Sequence, residues 1–215
     1  MMRYSIIGSG AIGSAIAGHF AKANIPVSVA NTRGPESLKT LADQLGSAIV
    51  PSDLTSALGA DVVILAVPFE AVKDVLREGS SWSGRVIVDA TNAIDFKTFG
   101  PADLGGIPSS AFVAKLAPHA SVVKGFNHIL ARILAREPDD GRGYGRRTLF
   151  ISGDQPEAKQ IVVQLMERLG FAAIDLGKFS EGGLLHQYGG PLTSHSLVQQ
   201  EMKGTGMADW DIIEH

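Results

Sequence analysis

Short apolar runs and longer amphipathic segments alternate along the first half of the chain. The apolar runs, each bounded by glycine, proline or polar residues, lie at 4–7, 27–30, 48–50, 62–67 and 86–89. Helices are predicted between them at 11–23 and 35–45, from a cap at Ser52 or Asp53 to Leu58, and at 69–77. The run at 62–67 is apolar throughout, which is typical of a strand buried on both faces. This order predicts an α/β fold with a parallel, doubly wound sheet.

The second half of the chain predicts a smaller α/β lobe interrupted by two loops. Glycine and proline between 93 and 108, and polar, glycine-rich sequence over 137–147, predict the loops. Strands are predicted at 122–126, 148–152 and 172–176, and helices at 109–116, 128–136 and 156–169. A last helical segment is predicted from Ser180, with an interruption at Gly189-Gly190-Pro191 and a resumption to about Met202.

Composition and charge narrow the range of partners. The chain has 215 residues, 45% of them hydrophobic and 19% charged, which is ordinary for a globular protein. A net charge of -3 gives nucleic-acid binding no electrostatic support. The absence of cysteine excludes disulfides, thiolate metal sites and a cysteine nucleophile. No apolar run is long enough to span a membrane and no signal-peptide pattern is present, so we expect a cytoplasmic protein that binds neither membrane nor nucleic acid.

A glycine-rich motif joins the first predicted strand to the first predicted helix. Gly8-Ser9-Gly10-Ala11-Ile12-Gly13 fits the pattern G-x-G-x-x-G in the strand-to-helix context that makes this pattern informative. Gly8 would make the tight turn, Gly10 would let a pyrophosphate approach the backbone, and Gly13 would permit close helix packing. The helix N-terminus offers N–H groups and a partial positive charge to phosphates. The motif therefore predicts a Rossmann dinucleotide site, and the alternative is a glycine turn without a ligand.

The residues after the second strand indicate which dinucleotide binds. An NAD-binding domain usually carries Asp or Glu there, to bond the ribose 2′-hydroxyl. This chain instead has Asn31-Thr32-Arg33, followed by Ser37. No carboxylate would repel a 2′-phosphate, and Arg33 supplies a permanently charged, planar group suited to phosphate. The sequence therefore favours NADP over NAD, and the alternative is that Arg33 is a solvated surface charge.

Two further strand ends are predicted to lie at the same edge of the sheet. Ala66-Val67-Pro68 ends the fourth strand and would pass under the nicotinamide ribose, because ligands of open α/β sheets lie beyond the carboxyl ends of the strands. Asp89-Ala90-Thr91-Asn92 ends the fifth strand, which makes Thr91 and Asn92 candidates to face the nicotinamide. In the alternative interpretation Asp89 and Asn92 only organise a turn.

No catalytic acid or base can be assigned from the sequence. The chain has no Ser…Tyr-x-x-x-Lys pattern, and its six histidines lack metal-binding spacing, so we expect no metal site. His119 and His128 are candidates for a site, although isolated histidines are more often surface or core residues. A reaction between two redox cofactors would explain the missing acid, because hydride transfer between stacked rings depends mainly on proximity and orientation.

Taken together, the motifs resemble the coenzyme F420-dependent NADP oxidoreductase family over nearly the whole chain. The blocks that carry the resemblance are IIGSGAIG (6–13), NTRGPES (31–37), VVILAVP (62–68), DATN (89–92), VVKGFN (122–127), FISGD (150–154), LGF (169–171) and DLG (175–177). The later blocks are less generic than the phosphate loop and carry most of the weight.

The resemblance implies an NADP-binding Rossmann domain at 1–120 and a C-terminal lobe at 121–215, which completes a cleft for the second substrate. In the alternative, the two parts form one compact unit. The resemblance also implies reversible hydride transfer between NADP(H) and a deazaflavin, coenzyme F420, and it implies a homodimer. The residues that match cofactor-side positions are Ser9, Ala11, Ile12, Thr32, Arg33, Ser37, Ala66 and Val67. Asn127 is expected near the second site, and Leu192 lies in the segment expected to cover it.

Two other functions remain open on the sequence alone. One is an NADPH-dependent reductase of another small molecule, such as a flavin, an imine or a ketoacid. The other is an NADP(H)-binding protein without enzymatic activity.

Overall fold

A mixed β-sheet with helices on both faces forms most of the chain. The computed structural model describes residues 2–79, 81–139, 141, 143 and 145–200. The strands are β1 (Tyr4–Ile7), β2 (Val27–Ala30), β3 (Ile49–Pro51), β4 (Val62–Leu65), β5 (Val86–Asp89), β6 (Ile94–Asp95), β7 (Gly100–Pro101), β8 (Ser121–Lys124), β9 (Arg146–Gly153), β10 (Ala172–Asp175) and β11 (Val198–Gln199). The helices are α1 (Ala11–Lys22), α2 (Lys39–Leu45), α3 (Leu54–Leu58), α4 (Val72–Arg77), α5 (Ser109–Leu116), α6 (Ala131–Leu134), α7 (Pro156–Arg168) and α8 (Leu184–His186).

The order of the strands defines the edge at which a ligand would bind. Across the described residues the main sheet runs β10-β9-β8-β5-β4-β1-β2-β3, and β11 pairs with β9. The strands from β3 to β8 in this order are parallel. The chain moves outward from β1 to β3 and then returns to β4 on the other side of β1, so the topological switch point lies between β1 and β4. The predicted α/β, doubly wound Rossmann fold with a C-terminal α/β region is confirmed.

Alternate residues of the parallel strands enter two hydrophobic layers, as strand geometry requires. Ile6 and Ile64 lie in the layer covered by α1 and α7. Ile7 and Leu65 lie in the layer covered by α3, α4 and α5. Burial of each such side chain stabilises the fold by about 1.5–3 kcal/mol relative to exposure. Because both faces are covered, only the strand ends are left to form a site.

The C-terminal part extends the same sheet. β8 pairs in parallel with β5, so residues on either side of the boundary predicted at 120 lie in one continuous sheet. β9 is antiparallel to β8, and β10 is parallel to β9. The connection from β8 to β9 spans residues 125–145, and its helix in the described part, α6, has 4 residues, so it lacks the long helix that usually forms a parallel crossover. The division into two domains stays a prediction.

Three local predictions differ from the structure. The helix predicted at 128–136 is limited to Ala131–Leu134, and the loop predicted at 93–108 contains the hairpin of β6 and β7. The prediction that a helix resumes after Pro191 is wrong at residues 198–199, because these two residues form β11 and pair with the first residues of β9. Neither β8 nor β10 pairs with those residues of β9, whose backbone partners are β11 and residues 138–139. Met202 lies outside the described residues.

Candidate functional site

The glycine-rich loop lies between the carboxyl end of β1 and the N-terminus of α1. Gly8 has a φ of +110°, a conformation that favours glycine, and its N–H donates to the Ala30 carbonyl at 2.8 Å. A Cβ on Gly8 would lie 2.2 Å from the Ala66 carbonyl oxygen, and a Cβ on Gly13 would lie 2.0 Å from the Gly8 carbonyl oxygen. Both positions therefore require glycine, because the loop, α1 and the end of β4 are in backbone contact.

The N-terminus of α1 is open to an anion. Gly10 is the N-cap, no side chain caps the helix, and no acidic residue lies in its first turn. A Cβ on Gly10 would meet no atom within 4 Å, so the missing side chain leaves space over the first turn. The first N–H groups of a helix lack intrahelical acceptors and carry a partial positive charge. The backbone from Ser9 to Ile12 can therefore hold a phosphate.

The residues predicted to choose the dinucleotide form one cluster with the loop, which we call the Arg33 cluster: Ser9, Asn31, Arg33 and Ser37. Asn31 Nδ2 lies 2.9 Å from Ser9 Oγ and 3.0 Å from Ser37 Oγ. Arg33 N donates to Asn31 Oδ1 at 2.8 Å, and Arg33 Nη2 lies 3.4 Å from Ser9 Oγ. The end of β2 is thus hydrogen-bonded to the phosphate loop, and a guanidinium lies beside them.

A cleft of about 510 Å³ adjoins this cluster. Its walls come from the end of β2, the start of α3 and the 3-10 turn and helix after β4; the lining residues are Asn31, Thr32, Gly34, Asp53, Leu54, Ala71, Asp74, Val75 and Glu78. Asp53 caps α3 by accepting from the Ser56 N–H at 2.8 Å, which lowers the pKa of its carboxyl group. Arg33 is exposed, and no ion pair joins it to a carboxylate among the described residues. Its charge therefore remains available to an anion.

The end of β4 lies directly beside the phosphate loop. Ala66 N donates to the Ile7 carbonyl at 2.8 Å, and the Ala66 carbonyl lies against Gly8. Val67, which is half-buried, and Pro68, which is exposed, follow Ala66. The strand predicted to Val67 ends at Leu65, so Ala66-Val67-Pro68 forms an irregular segment at the carboxyl edge of the sheet.

The end of β5 is organised by a buried ion pair. Asp89 Oδ1 accepts from the Thr91 N–H at 3.0 Å and from the Thr91 hydroxyl at 2.5 Å, so Asp89 does form the turn of the alternative interpretation. Thr91 is itself buried with its hydroxyl bonded to Asp89, and Asn92 is half-buried. Lys124 Nζ lies 3.4 Å from Asp89 Oδ2, and both side chains are almost completely buried. That Asn92 faces the nicotinamide stays a prediction.

Asn127 connects this edge to the C-terminal segment. Asn92 Nδ2 donates to the Asn127 carbonyl at 2.9 Å, and Asn127 Nδ2 lies 3.2 Å from Asn92 Oδ1 and 2.7 Å from the His186 carbonyl. Leu192 is half-buried, and its N–H donates to the Leu185 carbonyl at 2.9 Å. Two residues later the Ser194 N–H donates to the His128 carbonyl. The segment that carries Leu192 therefore lies against the residues next to Asn127.

The sequence interpretation missed Lys124, Ser110 and His186. Ser110 donates its hydroxyl to Asp89 Oδ2, and His186 Nε2 lies 2.9 Å from Ser152 Oγ. Lys124 follows the apolar residues Val122 and Val123 in a predicted strand, and a charged residue there was the one available signal that it must pair with another buried group. Ser110 and His186 are brought in by tertiary packing and carry no local signal.

Two buried histidines next to this edge are held neutral. Burial lowers the pKa of His128 to about 4, and its ring packs against Phe150 with 4.7 Å between ring centroids. Burial, followed by the charge of Lys124, lowers the pKa of His186 to about 2. Neither histidine is an imidazolium at neutral pH.

The free energy of unfolding should fall as the pH drops from about 6.5 to about 4, and His128→Leu should reduce this slope. In this window the unfolded chain binds a proton on His128 and the folded chain does not, so stability present above the window is lost as pH falls. Each pH unit costs about 1.4 kcal/mol for one such group. Urea unfolding at several pH values measures the slope. His119→Asn, which removes an exposed histidine, should leave it unchanged, and equal slopes for His128→Leu and the wild type would contradict the burial of a neutral His128.

Comparison with known proteins finds a family model that matches the first part of the chain. Residues 3–93 match the family model described as NADP oxidoreductase, coenzyme F420-dependent. Metalloreductase STEAP3 of Rattus norvegicus is 26% identical over 178 residues, which are 83% of this chain and 34% of that protein. The chain thus spans about a third of the length of this curated relative. No helix in the described part of the chain is long and apolar enough to cross a membrane.

Solved structures share the fold. Hypothetical protein SMa0349 of Sinorhizobium meliloti is 46% identical, with a TM-score of 0.90 over 93% of this chain and 97% of that chain. A protein of Arthrobacter sp. FB24, provisionally named an F420-dependent NADP-reductase, is 24% identical with a TM-score of 0.67 over 84% of this chain and 86% of that chain. A reductive aminase of Aspergillus terreus in complex with NADPH is 21% identical with a TM-score of 0.62 over 86% of this chain and 58% of that chain.

Proposed function

We propose that the chain binds NADP(H) and exchanges hydride with coenzyme F420, because residues 3–93 match the model of the coenzyme F420-dependent NADP oxidoreductase family. The observation that carries the proposal is the Arg33 cluster, which joins an exposed guanidinium to an open phosphate loop. A carboxylate at the same place would repel a 2′-phosphate, and none of the described residues provides one to Arg33. NADP fits the residues present better than NAD does.

The proposed binding assigns a role to each part of the edge. The backbone of Ser9 to Ile12 would hold the pyrophosphate, with Gly10 leaving room for it. Arg33, Thr32 and Ser37 would bind the 2′-phosphate, and the adjoining cleft would take the adenosine. Ala66-Val67-Pro68 and Asn92 would lie beside the nicotinamide end. The chain's contribution is thus to bind and orient.

NADPH held by these residues would supply a hydride, and the acceptor would gain this hydride together with a proton from solvent. The neutral state of His128 and His186 leaves no buried imidazolium to give that proton at neutral pH. Catalysis would therefore depend on holding two rings in contact and on excluding water from between them.

A flavin or a ferric chelate is the second candidate acceptor. The observation in its favour is the similarity to a metalloreductase, STEAP3, over 83% of this chain. A third candidate, an imine, draws on the fold shared with the reductive aminase. All three candidate reactions would use the same NADPH site and would differ only in the acceptor that reaches the nicotinamide.

Loss of NADPH absorbance separates these acceptors. Purified protein is mixed with NADPH and, in turn, with oxidised coenzyme F420, FMN, FAD, a ferric chelate and a cyclic imine. The proposal predicts the highest kcat/KM with coenzyme F420. Faster reduction of another acceptor would replace F420 by that acceptor. NADPH binding without any turnover would indicate a protein that binds NADPH without enzymatic activity.

The cytoplasmic location and the homodimer expected from the sequence are further parts of the proposal. Sedimentation of the purified protein tests the homodimer.

Leu192→Ala should raise KM for the acceptor about fivefold and leave the Kd for NADPH unchanged. The half-buried side chain lies on the segment proposed to cover the second substrate, and loss of about 1 kcal/mol of apolar contact corresponds to this factor. Leu197→Ala is the matched control, because Leu197 lies on the same segment and is 44% exposed. A Leu192→Ala enzyme with unchanged KM would remove Leu192 from the site.

A further inference from the structure

Lys124 is a lysine buried inside the sheet, where an unpaired charge would be strongly destabilising. Its side chain is 1% exposed and that of its partner Asp89 is 0% exposed. Both residues end neighbouring parallel strands, in register with each other, at the carboxyl edge that carries the proposed site. A buried ion pair contributes little net stability in general, so a role beyond folding is worth testing.

The pair holds one residue, Thr91, from two sides. Lys124 Nζ donates to the Thr91 carbonyl at 3.2 Å. Asp89 Oδ1 accepts from both the N–H and the hydroxyl of the same threonine. The second oxygen of Asp89 accepts from the Ser110 hydroxyl, which fixes the carboxylate itself. Thr91 therefore has its N–H and its carbonyl bonded to opposite members of one ion pair.

Asn92, the residue that follows Thr91, makes the next contacts. Asn92 and Asn127 exchange hydrogen bonds, from Asn92 Nδ2 to the Asn127 carbonyl and from Asn127 Nδ2 to Asn92 Oδ1. Asn127 Nδ2 also lies 2.7 Å from the His186 carbonyl, at the base of the C-terminal segment. A continuous set of contacts thus runs from Lys124 through Thr91 and Asn92 to Asn127. It crosses the place where the nicotinamide and the second substrate would meet.

We infer that Lys124, together with Asp89, is a positioning residue for hydride transfer: it fixes the Thr91 peptide and so orients the Asn92–Asn127 pair between the two substrates. The inference rests on the proposed function for its kinetic consequence. Its structural part concerns the apo protein alone and does not depend on which acceptor is used.

A double variant separates positioning from folding. Lys124→Met alone leaves a buried, unpaired carboxylate, and its failure to fold would be uninformative. Lys124→Met together with Asp89→Asn removes both charges with little change of shape, so the melting temperature should return close to that of the wild type. The double variant still lacks any donor to the Thr91 carbonyl. The matched control is Lys159→Met, which breaks the Lys159–Asp175 ion pair between α7 and the end of β10.

Three measurements are made on the folded double variant and on the control. The side-chain amide signals of Asn92 and Asn127 are followed by ¹⁵N NMR without dinucleotide. Fluorescence titration gives the Kd for NADPH, and steady-state kinetics give kcat with the acceptor that the wild type reduces best. We expect broadened or shifted amide signals, a Kd within about twofold of the wild type, and a kcat lower by about tenfold or more, because misplacement of a reacting ring by about 1 Å can cost a factor of that order. Lys159→Met should match the wild type in all three.

Unchanged amide signals in the double variant overturn the inference, whatever the kinetics show. Altered signals with an unchanged kcat also overturn it, because the orientation of Asn92 and Asn127 would then be irrelevant to transfer. A wild-type protein that binds no NADPH contradicts the proposed function instead. The two failures are therefore distinguishable.

Discussion

Gly13→Ala should abolish measurable NADPH binding and lower the free energy of unfolding by about 1–3 kcal/mol. A Cβ at this position would lie 2.0 Å from the carbonyl oxygen of Gly8 and 2.9 Å from its carbonyl carbon. Both are backbone atoms, which cannot rotate away as the end of a side chain can. The N-terminus of α1 would have to move away from the loop, and the amides proposed to hold the pyrophosphate would no longer converge. Calorimetry with NADPH and urea unfolding measure the two effects.

Gly18→Ala on the same helix is the control for this change. A Cβ there would meet no atom within 4 Å, so the substitution should raise stability by about 0.5–1 kcal/mol through helix propensity and leave binding intact. Gly13→Ala protein that binds NADPH as the wild type does would show that the dinucleotide does not depend on this loop.

Arg33→Ala should weaken NADPH binding by about 1–3 kcal/mol, or about 5- to 150-fold, and leave the weaker NADH binding nearly unchanged. The guanidinium is exposed beside Ser9 and Asn31, and no ion pair holds it among the described residues. Only NADPH carries the phosphate with which it would pair, so the loss should be specific to that dinucleotide. Calorimetric Kd values for both dinucleotides, with the wild type and the variant, give the difference directly.

Arg136→Ala is a suitable control, because Arg136 is an exposed arginine beyond α6, which packs near the opposite end of α1. It should change neither Kd. An equal loss of affinity for NADPH and NADH in Arg33→Ala would refute the assignment of NADP.

Much of the sheet and of the phosphate loop could be predicted because their signals are local. The continuous apolar run at the fourth strand is typical of a strand buried on both faces, and β4 is buried over its whole length. The glycines of the loop follow from a backbone contact that any side chain would block, as the positions around Gly8 and Gly13 show. The proximity of Arg33 to the loop followed from topology, since neighbouring parallel strands end at one edge.

The remaining features depend on partners that are distant in sequence. Asp89 was predicted at a turn, but its pairing with Lys124 requires the register between β5 and β8. The segment after Pro191 has helical composition, yet residues 198–199 pair with the first residues of β9, which are distant in sequence. His186 reaches Ser152 only because the C-terminal segment folds back over β9. No local pattern encodes these choices.

Isothermal titration of the wild-type protein with NADPH, and separately with NADH, tests the central claim most directly. The account predicts saturable heat at one site per chain, with NADPH bound about tenfold or more tightly than NADH. Heat from neither dinucleotide would contradict a phosphate site at the start of α1, and tighter binding of NADH would contradict the role given to Arg33.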